Sequence, residues 1–286
     1  MAFSQKRISI QLQLANGQFH GGGNTATIEG LRCSCHIVNK GGADQSDATA
    51  AIFGLPLDLM NQLSNVGTQY NRDFLNTVVI RAGDSSGMDT VYEGQIFSAF
   101  VDAMSMPQVC FRISAKPNIY DQVKPVKPTS IKGSADVAGM MSNLAKQMGL
   151  AFEGNGVNVK LANPYYYGSA WMQAMQIAEH AGIEWIVDKG TLAISMPGKP
   201  RQGSTPLISK ETGLVGYPAF NETEIILRAL YNPAVRYGGD IEVKSDLTPA
   251  NGKWIVKLIE YDLESQMPGG SWFMTIIAYP IGPTTP

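Results

Sequence analysis

Gly83-Asp84-Ser85-Ser86-Gly87 has the spacing G-x-S-x-G, in which a serine is pushed out of a sharp turn and activated by a histidine. That chemistry requires a strand before the turn and a helix after it. Residues 76–81 (NTVVIR) read as the strand, but MDTVYEGQIF downstream reads as another strand, so a hairpin turn accounts for the Gly, Asp and Ser equally well. The only downstream histidine, His180, falls in a helical pattern of a different domain. Cys33-x-Cys35-His36 carries soft-metal ligand types, yet alternation along a strand sends both cysteines to one face and His36 to the other. Buried cysteine acting as a small hydrophobe is the simpler reading. Asp84 and Asp89 lack the alternating acidic positions and late Glu of a calcium loop. Gly21-Gly22-Gly23 lacks the lysine and helix start of a phosphate cradle, and His20 beside it reads as a solvated loop residue. The reading is therefore no catalytic residue, no cofactor and no metal, with no role in catalysis for Ser85, His36 or His180. A pair of carboxylates brought together in space stays open at this point.

The elements that would position such groups are mostly strands. The chain has 286 residues, with 30 glycines and 16 prolines punctuating it. Hydrophobic residues make up 44%, and charged residues only 16% against about 25% in an average globular chain. No apolar run reaches the ~18 residues of a membrane span. A net charge of −2 argues against a sequence-independent grip on nucleic acid. Low charge also suggests that much surface is covered by other chains. Three cysteines cannot build a disulfide framework, and the alternating start MAFSQKRISIQLQL does not look like a secretory signal; a reducing cytoplasm is the expected setting.

Period-two patterns predict strands at 7–14, 25–38, 50–55, 76–81, 90–101 and 109–115, with turns at Asn16-Gly17 and 84–89 and a short helix from Pro56 to residue 63. Residues 116–130 read as an extended linker. The period then changes to 3.6. A helix capped by Ser134 is predicted with Val137, Met140, Met141, Leu144 and Met148 on its buried face, stopped at Gly149. Short strands at 150–152 and 157–161 follow around Gly154-Asn155-Gly156. The same grammar repeats from Ser169, with Trp171, Ala174, Met175 and Ala178 on one helix face, a stop at Gly182, and a hairpin across Asp188-Lys189-Gly190. This suggests a tandem helix–strand–strand duplication. After a Pro/Gly-rich boundary at 196–205, strands are predicted at 225–230, 240–245, 253–261 and 271–279. The fold class is mainly β with an α+β insert, and the division is 1–117, 118–200 and 201–286.

The last third resembles the C-terminal β-domain of baseplate hub proteins of contractile-tailed bacteriophages, of the tail-tube-like, late control protein D type. The resemblance lies in Gly213 to Pro218, the Leu-Tyr-Asn-Pro step from Leu230 to Pro233, Gly238-Gly239 before a strand, Gly252 before Trp254, and Gly270-x-Trp272 at the last strand. Ala51 to Leu55 followed by Leu59 to Ser64, Arg81-Ala82-Gly83, and Tyr92 to Ile96 look like the family's N-terminal steps in the same order. What this implies is a homotrimer in which two tail-tube-like β-barrel or sandwich domains per chain form a pseudo-six-fold ring. The small duplicated lobe would lie between them in sequence and outside the ring. Such an adaptor joins a hexameric tail tube or tube initiator to a trimeric central spike, touching other baseplate proteins and the tape measure protein, with no membrane or specific nucleic-acid partner. The virion tail baseplate is its implied location, after assembly in the host cytoplasm. Gly213, Gly216, Pro218, Asn232, Pro233 and Trp272 are the residues implied at the partner interface. No lysozyme or peptidase module is recognisable. Rival readings from other classes are a β-rich hydrolase and a carbohydrate-binding protein stacking sugars on Trp171, Trp185, Trp254 or Trp272.

Overall fold

The computed structural model describes residues 4–15, 18–19, 22–42, 46–64, 76–104 and 106–281. The expected Asn16-Gly17 turn, His20 and Gly21 lie outside them. Two compact units emerge. The first comprises the chain up to Val38, Asp47–Ile119 and Tyr261–Phe273; the second comprises Asn39–Ser46, Tyr120–Glu260 and the chain from Met274.

The first unit is an antiparallel sheet. Its strands are β1 (Arg7–Gln13), β2 (Thr25–Glu29), β3 (Cys33–Asn39), β4 (Asp47–Phe53), β5 (Thr77–Asp84), β6 (Gly87–Asp102) and β7 (Cys110–Lys116), with helix α1 (Leu57–Leu63) between β4 and β5. They lie side by side in the order β3-β4-β7-β6-β5-β1-β2. Alternation builds the core: Ile8, Ile10 and Leu12 of β1, Cys33, Cys35 and Ile37 of β3, and Phe111 and Ile113 of β7 are all buried. Two irregularities bend the long β6. The register with β5 shifts between Ile80 and Arg81, leaving Val91 extra, and that with β7 shifts between Ile96 and Ser98, leaving Phe97 extra. The first explains why the consecutive Val91 and Tyr92 are both buried.

Several expectations need correction. The strand foreseen over 25–38 is two strands, because Gly30 turns the chain in a left-handed conformation (φ 73°) that interrupts the ladder. Pro56 does not open α1 from inside; it is the extended residue just before it. The linker at 116–130 contains a short helix α2 (Ile119–Val123) and a short strand β8 (Thr129–Ser130).

The second unit holds the α+β lobe and the closing strands. In the lobe β9 (Ser134–Asp136) leads into α3 (Val137–Gln147), followed by β10 (Ala151–Glu153), β11 (Lys160–Ala162) and β12 (Tyr165–Tyr166). Then come α4 (Ala170–Ala181), β13 (Glu184–Asp188) and β14 (Thr191–Ser195). Asp136, not Ser134, caps α3: its Oδ2 accepts from the Gly139 N–H at 2.8 Å, because the β9–β11 ladder keeps residues 134–136 extended and the helix starts only at Val137. Ser169 caps α4 as expected, accepting from Met172 N–H at 3.2 Å, and Gly182 ends it with φ 61°. The two helix–strand–strand segments are not paired alike. β13 and β14 form a hairpin, whereas β10 runs parallel to β14 and β11 pairs back to β9. Both helices bury Val137, Met141, Leu144, Ala174 and Ile177 in one core, where Trp171 and Trp185 meet edge to face at 4.7 Å. Met175 packs only partly against it.

The remaining strands of the chain are β15 (Leu207–Ser209), β16 (Ala219–Asn221), β17 (Glu224–Leu230), β18 (Asp240–Lys244), β19 (Gly252–Ser265) and β20 (Trp272–Pro280). β16 is the outer strand beside β17, and β18 lies between β15 and β19.

Arg201 ties the lobe to the strands that follow it. The residue is 4% exposed, and its guanidinium donates to both oxygens of Glu153 (3.2 and 2.8 Å), to Asp188 Oδ2 (3.2 Å) and to the Tyr237 carbonyl (3.1 Å). Its backbone N–H adds a bond to the Gly238 carbonyl at 2.7 Å. Beside it, Gln202 N–H donates to Asn155 Oδ1 at 2.9 Å. Burial works against the Glu153 charge most strongly, but the hydrogen bonds and charge of Arg201 outweigh it and hold the carboxyl below its ordinary range.

Removing Arg201 strands two carboxylates, one of them deeply buried. Arg201→Met is expected to destabilise the second unit by about 3–5 kcal/mol in calorimetry or urea titration. Because the folded Glu153 titrates below the unfolded value of about 4.3, its contribution is complete above that pH and fades as pH falls through the folded value. Wild type should therefore lose stability steeply below about pH 4. An Arg201→Met protein as stable as wild type would contradict this account.

Candidate functional site

The Gly83–Gly87 motif is a two-residue hairpin turn. Asp84 pairs with Gly87 across it, and no helix follows. Asp84 is fully engaged: Oδ1 accepts from the Ser86 N–H (2.9 Å) and hydroxyl, and Oδ2 from the Ser4 hydroxyl (2.6 Å) and Lys6 Nζ (3.1 Å). The Ser4 bond, followed by those from Ser86 and Lys6, holds this carboxyl well below the usual range. A Cβ on Gly83 would lie 1.9 Å from the Gly87 carbonyl oxygen, so this close backbone approach is what the glycine is for. Ser85 is exposed on the turn.

His36 is an exposed strand residue whose Nδ1 lies 2.8 Å from Asp262 Oδ1, and His180 meets the Tyr166 hydroxyl at 2.9 Å in the second unit. Cys33 and Cys35 share the buried face of β3, and burial pushes the Cys33 thiol up to about 12 and Cys35 higher still. Among the described residues no three His, Cys, Asp or Glu side chains stand together as a metal set. A cleft of about 380 Å³ opens between Gln5, Arg7, Ser9, Glu29 and Gln266 of the first unit. Ser9 and Glu29, which line it, stand opposite one another in the β1–β2 ladder.

The tryptophans do not form a sugar platform. Trp171, Trp185 and Trp272 are between 5% and 8% exposed, and Trp254 is half-buried with its indole N–H donating to the Ala250 carbonyl at 2.9 Å. That removes the observation on which the carbohydrate reading depended.

The residues expected at a partner interface divide between the units. Gly213, Gly216, Pro218, Asn232 and Pro233 gather around the end of β17. There Leu230 N–H donates to the Gly213 carbonyl and Val215 N–H to the Arg228 carbonyl, each at 2.8 Å. Gly213 has φ +112°, and a Cβ there would lie 3.0 Å from Leu230 Cβ. Asn232 Oδ1 accepts from Ala234 N–H at 3.0 Å, making the turn that Pro233 rigidifies. Pro218 is buried and Pro233 exposed. Trp272 belongs to the first unit.

Sequence reasoning missed the apolar side chains that this scaffold displays. Tyr217 is 71% exposed and Phe220, on the outer strand β16, 51%; Val215 and Leu230 are exposed as well. Several exposed apolar groups on one outer edge mark an interaction surface. The available signal was an aromatic on either side of Pro218 in a stretch with no alternation to bury it.

The fold has counterparts among tail proteins. The fold matches the tail protein from Neisseria meningitidis MC58 at TM-score 0.64 and 10% identity, covering 96% of this chain and 97% of the other. It matches the 43 kDa tail protein of prophage MuSo2 from Shewanella oneidensis at 0.61 and 9%, with 96% of each chain covered. The E. coli c3393 protein, described as a type VI secretion component with structural similarity to the T4 tail proteins gp27 and gp5, matches at 0.58 and 8%, over 88% of this chain and 74% of that one. No curated protein matches the chain in sequence. A family model described as baseplate hub gp41 matches residues 8–275, and the chain belongs to that family. It is a non-enzymatic structural protein of the phage-tail type.

Gly83→Ala is expected to cost about 1–3 kcal/mol by forcing the turn apart. Gly87→Ala, where a Cβ meets nothing within 4 Å, should cost less, and Ser85→Ala should stay within about 0.5 kcal/mol. Chemical denaturation of the three variants checks the order; equal effects at Gly83 and Gly87 would count against the close-approach argument.

Proposed function

We propose that this chain is the hub protomer of a contractile-tail baseplate, a homotrimer that joins the tail tube to the central spike. The observation that carries the reading is the baseplate hub family match across residues 8–275. Two further observations support it. The c3393 protein, which shares the fold, is described as similar to gp27 and gp5. The outer strand β16 presents Phe220 beside exposed Tyr217, a surface that an isolated chain leaves in water.

In this proposal the division is 1–117, 118–200 and 201–286, with the first and last parts as tail-tube-like domains that superpose. Three chains then present the same curvature six times, which reconciles a six-fold tube with a three-fold spike. Gly213, Gly216, Pro218, Asn232 and Pro233 shape the backbone of the interface, while Trp272, buried in its own unit, fixes the approach of the last strand. The spike, the tube or its initiator, neighbouring baseplate proteins and the tape measure protein are the partners. The particle is assembled in the host cytoplasm and the protein ends in the virion tail. A chain with only 16% charged residues suits broad contacts that must be desolvated.

Light scattering on the purified protein, alone and with its cognate spike, should give three times the 30.9 kDa chain mass in at least one condition. Tyr217→Ser with Phe220→Ser should leave folding intact and weaken assembly by at least about 2 kcal/mol, some thirty-fold. A monomer under both conditions would sink the hub assignment.

A further inference from the structure

The lobe carries a second surface that the hub reading leaves unassigned. β8 and β12 form a two-stranded ribbon, with Tyr165 opposite Ser130 and Tyr166 opposite Thr129. The chain continues alongside through the bond from Val126 N–H to the Gly168 carbonyl (3.1 Å) and the Pro125–Ser169 bridge. Period two gives the ribbon two different faces. Inward, Tyr166 is buried with its hydroxyl against His180, and the Thr129 hydroxyl donates at 2.7 Å to Oε1 of the fully buried Gln173. Outward, Tyr165 and Tyr167 are 63% and 62% exposed. Their rings lean on one another, with centroids 6.3 Å apart and planes tilted 36°.

Cations predominate next to this platform. The stretches 122–135 and 154–178 contain Lys124, Lys127, Lys132 and Lys160 and no Asp or Glu, in a chain whose net charge is −2. Asp121, Asp136, Glu153 and Glu179 bound these two stretches, and Asp136 lies opposite Lys160 in the β9–β11 ladder. All four lysines are exposed, and none forms an ion pair with a described residue. The Lys124 ammonium lies over the Tyr120 ring at 5.0 Å.

We propose that this tyrosine ribbon is a docking site for a partner protein that presents an acidic surface. Tyrosines held on a rigid backing lose little conformational entropy when covered, which is why they anchor protein interfaces. A rim in which Lys124, Lys127 and Lys132 stand nearest the ribbon speeds encounter with an oppositely charged partner. Single-stranded nucleic acid would need a basic groove following its backbone over several nucleotides, whereas here the cations flank one two-tyrosine platform.

The test uses the full-length chain alone, so its result is independent of hub assembly. The probe is a glutamate–tyrosine copolymer carrying a fluorophore, titrated by anisotropy at low and high salt. Binding should fall steeply with salt. Tyr165→Ser with Tyr167→Ser, and separately Lys127→Glu with Lys132→Glu, should each weaken it by at least about tenfold while leaving the melting temperature unchanged. Absence of binding, equal binding by the variants, or tighter binding to a twenty-residue oligothymidylate would overturn the proposal. So would a change in the chain's own oligomeric mass in these variants, which would make the ribbon a contact between copies.

Discussion

Antiparallel pairing with one buried face is the constraint from which most of this protein follows. Ile8, Ile10 and Leu12 of β1 share one buried face, so a slip of one position would move all three off it together. That requirement fixes the register from β3 through β2. It also explains why the sheet tolerates irregularity only at bulges, which absorb one extra residue and bend β6 without inverting its faces. A sheet built this way satisfies its interior hydrogen bonds and leaves its outer strands for partners.

Against that background the few charged groups have defined structural work. Asp84 is consumed by the hairpin turn, with Ser4, Lys6 and Ser86 around it. Arg201 joins the lobe strands β10 and β13 to the chain that follows them, through Glu153 and Asp188. A buried guanidinium with two carboxylates is a poor source of net stability but a specific one, since no other side chain can reach those acceptors at once. Such use of charge fits a family of baseplate hub proteins, in which the task is to hold shapes together.

The same economy leaves two kinds of surface. Around β16, apolar groups on an outer strand suit a dry, extended contact. On the β8–β12 ribbon, paired tyrosines among lysines suit an electrostatically guided one. The physical distinction is desolvation: the first needs little charge removed from water, while the second keeps its cations at a wet rim.

Much was legible in the sequence because it depends on local period and turn chemistry. The buried Ile8, Ile10 and Leu12 of β1, the Cys33/Cys35 face, the buried stripe of α3 and the caps at Ser169 and Gly182 appear as written, since each follows from backbone geometry that neighbours in sequence impose, although Ser9 is buried as well. The order of turn residues from Gly213 to Trp272 likewise carried the family. Other features were decided only in three dimensions. Ser134 lost the cap of α3 to Asp136 because pairing with a strand 24 to 28 positions away keeps residues 134–136 extended and starts the helix only at Val137. The two halves of the lobe keep the same helix–strand–strand order but pair differently, β10 with β14 and β11 with β9, choices that period alone does not contain. Arg201 gave no local sign of its role, because Glu153 and Asp188 reach it only after the lobe has folded. Tertiary structure decides such contacts because they are set by which distant surfaces must be buried together, and no window of neighbouring residues records that.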